Sequence, residues 1–99
     1  MHIRFERSGG FAGMRLSTEL NTDSLSPDES RKIQALVDSS DFFNLPVTIS
    51  PSRKGADQFS YVITIEKGKV TRTIQVGETV LPPGLRPLIS YLMDKTKNR

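Results

Sequence analysis

Cysteine and tryptophan are absent from this 99-residue chain, and histidine occurs once, as His2. Without cysteine there is no disulfide framework and no thiolate metal site. A single histidine near the N-terminus leaves neither a zinc-ligand set nor a base beside a serine nucleophile, so no catalytic triad or metal centre is expected. The aspartates at 23, 28, 38, 41 and 57 lack the ligand spacing of a calcium loop and read as turn and helix-end residues. No apolar run approaches the roughly 20 residues that span a bilayer. The opening MHIRFERSGG also lacks the apolar stretch of a signal peptide. These absences lead to the expectation of a soluble, cytoplasmic, non-enzymatic single domain (residues 1–99) with no cofactor and no membrane contact.

Charge of one sign is equally scarce over most of the chain. The formal net charge is +3. Residues 1–83 hold 10 basic and 10 acidic side chains, and the excess comes from Arg86, Lys95, Lys97 and Arg99 against Asp94. Cations in the last turn of a helix complement its dipole. Strong nucleic-acid binding usually draws on several clustered phosphate contacts, so the distribution argues against a nucleic-acid partner.

Alternation is abundant. In residues 2–7, Ile3 and Phe5 face one way and His2, Arg4 and Glu6 the other; in 14–20, Met14, Leu16, Thr18 and Leu20 share a face. Residues 58–66 and 69–76 alternate similarly, and period two predicts half-buried strands. Placing Arg7 opposite Met14 sets Phe5 against Leu16. Taking Lys67-Gly68 as the turn of the second hairpin sets Ile65 against Val70 and leaves Arg72 on the apolar face opposite Ile63. There Arg72 is expected to snorkel at an edge or pair with a carboxylate.

Between the hairpins, Ser26-Pro27-Asp28-Glu29 carries an N-cap, a first-turn proline and a capping-box glutamate. Ile33, Leu36 and Val37 then form the stripe of a helix that ends near Ser39-Ser40. Phe42, Phe43 and Leu45 are expected to plug the core before Pro46. Residues 46–57 read as a long exposed connection. Leu85, Leu88, Ile89, Leu92 and Met93 form the buried stripe of a closing helix after Pro82-Pro83. The order is β-β-α-β-β-α, which predicts an α+β fold: a four-stranded, mainly antiparallel sheet with two helices packed on one face and a polar second face.

The glycine cluster Gly9-Gly10-Phe11-Ala12-Gly13 precedes a strand, not a helix, so it does not read as a phosphate cradle. It reads as a hairpin tip, and Phe11 standing on it suits a partner's pocket.

The run FERSGGFAG at 5–13 resembles the opening of emfourin-type proteins, small inhibitors of thermolysin-like metallopeptidases. The likeness continues through the 33–37 stripe, Phe43-x-Leu45-Pro46, Asp57-x-Phe59-x-Tyr61-x-Ile63, and Leu85-x2-Leu88-x3-Leu92. It implies an α+β inhibitor that is not itself an enzyme. It also implies a bacterial setting and a thermolysin-like metallopeptidase as partner. The resemblance supplies no contact residues.

A stable interface needs roughly 800 Å² per partner, more than one hairpin tip offers. Candidate contacts are therefore spread over three loops: Gly9, Gly10 and Phe11; Pro51, Arg53 and Lys54; and Pro82 and Pro83. In this reading Phe11 fills an apolar specificity pocket. The alternative is a non-inhibitory interaction module that binds a peptide along an open sheet edge.

Overall fold

Each alternating segment forms a strand, but the sheet they build has one strand more than expected. The computed structural model describes residues 1–9, 15–49 and 59–97, with side chains through Lys95. Its strands are β1 (His2–Gly9), β2 (Leu16–Asn21), β3 (Thr48–Ile49), β4 (Phe59–Lys67) and β5 (Val70–Gly77). They form one sheet in the order β2-β1-β4-β5-β3. The β1–β2, β1–β4 and β4–β5 pairs are antiparallel, and β3 runs parallel to β5. The expected count of four is therefore corrected to five. The added strand lies in the stretch read as loop. It is two residues long, too short for alternation to show, and is tied on where the Gln75 N–H donates to the Val47 carbonyl at 2.9 Å.

Both expected hairpin registers are also corrected, each by two residues. Phe5 pairs with Thr18 and Arg7 with Leu16, while Ile65 pairs with Arg72 and Ile63 with Ile74. Sliding a strand by two residues leaves every side chain on its own face. Alternation therefore specifies the faces but not this shift. In the second hairpin the central residues are Gly68-Lys69, with Gly68 at φ +62°. This is the first central position, where type II′ turns take glycine.

Helix α1 (Pro27–Ser40) starts as its sequence dictates: the Ser26 hydroxyl accepts from the Glu29 N–H at 3.2 Å. The Glu29 carboxylate does not complete a capping box. It accepts two hydrogen bonds from Lys95 of helix α2 (Arg86–Lys97), at 3.1 and 3.2 Å. That bond holds the Lys95 ammonium above the usual lysine range. Asp41 ends α1 in the left-handed region, at φ 55°, and its carboxylate accepts from the Asn44 amide at 2.7 Å. No described helix is long and apolar enough to cross a membrane.

One core joins Ile3, Phe5, Tyr61, Ile63, Ile65, Ile74 and Val76 of the sheet to Ile33, Val37, Phe42, Leu85, Leu88, Ile89 and Leu92. Both helical stripes thus cover the same sheet face, as expected. Phe42 is buried and Phe43 and Leu45 are half-buried at its margin. Each fully buried large aliphatic or aromatic side chain contributes about 1.5–3 kcal/mol. Val70, expected inward, is exposed at the hairpin end of β5. Arg72 is half-buried and meets no carboxylate among the described residues; its guanidinium donates to the Leu45 carbonyl. That contact ties β5 to the segment leading into β3.

The other face is polar. On it Glu19 accepts from His2 Nε2 at 2.9 Å and from Arg4 Nε at 3.3 Å, and Thr64 bonds Thr73 at 2.9 Å. His2 is thus a strand residue of the polar face, engaged by Glu19. The His2 hydrogen bond, with the Arg4 charge, holds the Glu19 carboxyl below the usual range.

Two outcomes follow from these contacts. A Cβ at Gly84 would lie 2.9 Å from the Ser39 carbonyl oxygen, at the end of α1. Backbone on both sides leaves little room to yield, so Gly84→Ala is expected to lower stability by about 1–3 kcal/mol in urea unfolding. A carboxyl whose folded-state pKa is lowered stabilises the fold above its unfolded value, and that contribution fades as pH falls through the folded value. The melting-temperature difference between wild type and Glu19→Gln is therefore expected to be fully present above about pH 4.3, the ordinary glutamate value, and to disappear in stronger acid.

Candidate partner-binding surface

The sheet topology gathers the strand ends that flank the candidate loops. Gly9 at the end of β1 pairs with Phe59 at the start of β4, and Ser60 with Gly77 at the end of β5. Ile49, at the end of β3, pairs with Val76. Arg7, two residues before the end of β1, pairs with Leu16 at the start of β2. The residues flanking segments 10–14 and 50–58, and the exit of β5 toward Pro82, therefore lie at one end of the sheet.

Gly9 holds φ +107°, a conformation that favours glycine. Gly10, Phe11, Pro51, Arg53 and Lys54 lie outside the described residues. Pro82 is half-buried and Pro83 exposed. They open a 3-10 turn, Pro83–Leu85, in which the Leu85 N–H donates to the Pro82 carbonyl at 3.0 Å. The turn docks through Gly84 onto the end of α1, so these prolines join the helices in addition to any surface role.

This end of the sheet is stiffened by aromatic contacts. The Phe5 and Tyr61 rings stack with centroids 5.8 Å apart and an interplanar angle of 21°. Beyond them the Arg7 guanidinium lies over the Phe59 ring, 4.3 Å from its centroid. Glycine at position 9, directly opposite Phe59, leaves no side chain to compete for that ring. The Phe59 N–H donates to Glu78 Oε1 at 3.1 Å, which closes the start of β4 against the exit of β5. Tyr61, Leu81, Ile89 and Met93 line an adjacent groove with Arg86 and Asp94 at its rim.

Arg7 was not among the residues marked by sequence. Its signal is the one that marked Arg72: a cation on the same strand face as Ile3 and Phe5. Among the described residues, no group of three or more histidine, aspartate or glutamate side chains is placed to hold a metal. Of the cations near the C-terminus, Lys95 is engaged by Glu29 and lies 5.4 Å from the Tyr91 ring centroid.

The arrangement is that of an α+β protein whose strand ends converge at one end of a five-stranded sheet. The emfourin family model matches residues 5–93, and the chain belongs to that family. A solved structure of emfourin from Serratia proteamaculans, described as an M4 family peptidase inhibitor, has a similar fold, with a TM-score of 0.51. The likeness covers 88% of this chain and 83% of that one at 18% identity. No curated protein matches the sequence.

Proposed function

We propose that this chain is a proteinaceous inhibitor of a thermolysin-like zinc metallopeptidase, acting by loop insertion into the active-site cleft or by its occlusion. Family membership supports the class of activity. The observation that carries the mechanism is the convergence of strand ends: the residues bounding 10–14 and 50–58 emerge side by side from one sheet end.

A peptidase of this class binds zinc with three protein ligands and keeps one position open for water or substrate. An inhibitor must cover that position without presenting a cleavable extended segment. Loops anchored on hydrogen-bonded strands lose less conformational freedom on binding than a free peptide does. Two loops side by side can approach the roughly 800 Å² that a stable complex buries on each partner, where a single tip cannot. In this reading Phe11 is the aromatic anchor that enters an apolar pocket of the cleft, with Gly9 and Gly10 allowing close backbone approach.

The deciding experiment is an inhibition assay of the purified protein against several thermolysin-like enzymes. Dose-dependent inhibition that saturates near one equivalent is expected. No inhibition of any of them would instead favour strand addition along β2, which forms one edge of the sheet. In the same assay Phe11→Ala is expected to raise the inhibition constant about tenfold or more, as for other buried aromatic anchors. An unchanged constant removes Phe11 from the interface.

A further inference from the structure

Four other arginine side chains of the described chain have acceptors suited to their surroundings. Arg4 meets Glu19, Arg15 meets Glu6 and Arg31 meets Asp28 on exposed surface, while the half-buried Arg72 bonds the Leu45 carbonyl. Arg7 differs. It is half-buried, and its Nε, like that of Arg72, is shielded from solvent without a hydrogen-bond partner. Whereas another nitrogen of Arg72 has an acceptor, no other atom of the Arg7 guanidinium bonds one among the described residues, and no described carboxylate pairs with it. Of the described acids, Glu6 beside it in sequence and Glu78 at the Phe59 N–H are committed elsewhere. Glu6 alternates onto the opposite face and pairs with Arg15 at 3.6 Å, and Glu78 accepts from the Phe59 N–H.

What holds Arg7 is the Phe59 ring. Stacking engages the flat face of a guanidinium and leaves its edge, with its fork of N–H donors, free to bind. The stack therefore fixes the plane of the fork without consuming its donors. It also stands where the strand ends converge, because Arg7 forms the last β1–β2 pair and Phe59 opens β4. Solvent-poor surroundings strengthen any charge-assisted hydrogen bond formed there.

We infer that Arg7 is a preorganised anchor for a carboxylate on the peptidase surface bordering its cleft, so that the loop end recognises an acidic rim as well as an apolar pocket. This rests on the inhibitor reading above. It adds to that reading the chemistry of the partner surface: an Asp or Glu side chain within reach of the guanidinium edge in the complex.

The test is the inhibition constant of wild type, Arg7→Met, Arg7→Lys and Phe59→Leu against a thermolysin-like enzyme that the wild type inhibits, measured across ionic strength with thermal unfolding alongside. An anchor predicts that Arg7→Met inhibits tenfold or more weakly and loses most of the wild type's salt sensitivity. Phe59→Leu, which keeps the charge and releases the stack, should weaken inhibition several-fold and retain that sensitivity. Arg7→Lys keeps the charge without the planar fork and is expected to behave like Phe59→Leu; it carries the test if Arg7→Met fails to fold. Wild-type inhibition by Arg7→Lys and Arg7→Met overturns the inference and leaves the inhibitor reading standing. So does weaker inhibition by Arg7→Met with unchanged salt sensitivity, which would make Arg7 a structural support only. A wild-type protein that inhibits no thermolysin-like enzyme overturns both.

Discussion

The eight-residue antiparallel pairing of β1 with β4 is the constraint on which the rest of the structure depends. It joins the first strand to one that begins fifty residues after β1 ends, and runs unbroken from His2 opposite Glu66 to Gly9 opposite Phe59. Each strand then carries its own hairpin partner outward, which makes a sheet with β1 and β4 at its centre. The same pairing buries Ile3, Phe5, Ile63 and Ile65 together beneath the helices. It also brings the end of β1 beside the start of β4, so core formation and the convergence of strand ends have one cause. Contacts this distant in sequence must overcome a large loop-closure entropy. The apolar faces offset it because both strands are sealed by helices.

Much of this architecture is legible in the residues because it depends on local signals. Ile3 and Phe5 alternate with charged neighbours, Ser26 and Pro27 announce a helix, and Leu85, Leu88 and Leu92 mark another. What escapes a sequence reading is information that leaves those patterns unchanged. A two-residue slide moves Arg72 from opposite Ile63 to opposite Ile65 without turning a single side chain to the other face. The two residues of β3 are too few to establish a period. Glu29 has the spacing of a capping box, yet Lys95 arrives from sixty-six residues away and offers a stronger, charged donor. In each case a non-local partner competed with a local rule.

Arg72 shows how such a non-local partner shapes the fold. A guanidinium on the core face of β5 would be costly if left without an acceptor. The Leu45 carbonyl supplies one at the turn that follows Phe42 and Phe43, just before β3 joins the sheet. The fifth strand and the core-facing cation are thus coupled. The same segment that bonds Arg72 continues through Val47, whose carbonyl accepts from Gln75 of β5, into β3. The sequence marks Arg72 as anomalous, but its acceptor is a backbone atom, which no residue type announces.

The candidate site was legible in a similar, partial way. Gly9 and the aromatic positions of β4 stand out by type, but their convergence is a property of the topology. That topology also separates the surfaces by chemistry. On the open sheet face most polar groups are engaged within the chain: Arg4 and His2 pair with Glu19, Arg15 pairs with Glu6, and the Thr64 and Thr73 hydroxyls bond each other. A partner docking there would have to displace contacts already made. At the loop end Arg7 has a ring beneath it and no acceptor among the described residues, next to a glycine that leaves the backbone accessible. Buried polar groups in native structures are ordinarily satisfied, and exceptions cluster where the fold serves something besides its own stability. The unmatched guanidinium therefore favours this end of the sheet over its broad polar face as the surface shaped by a partner.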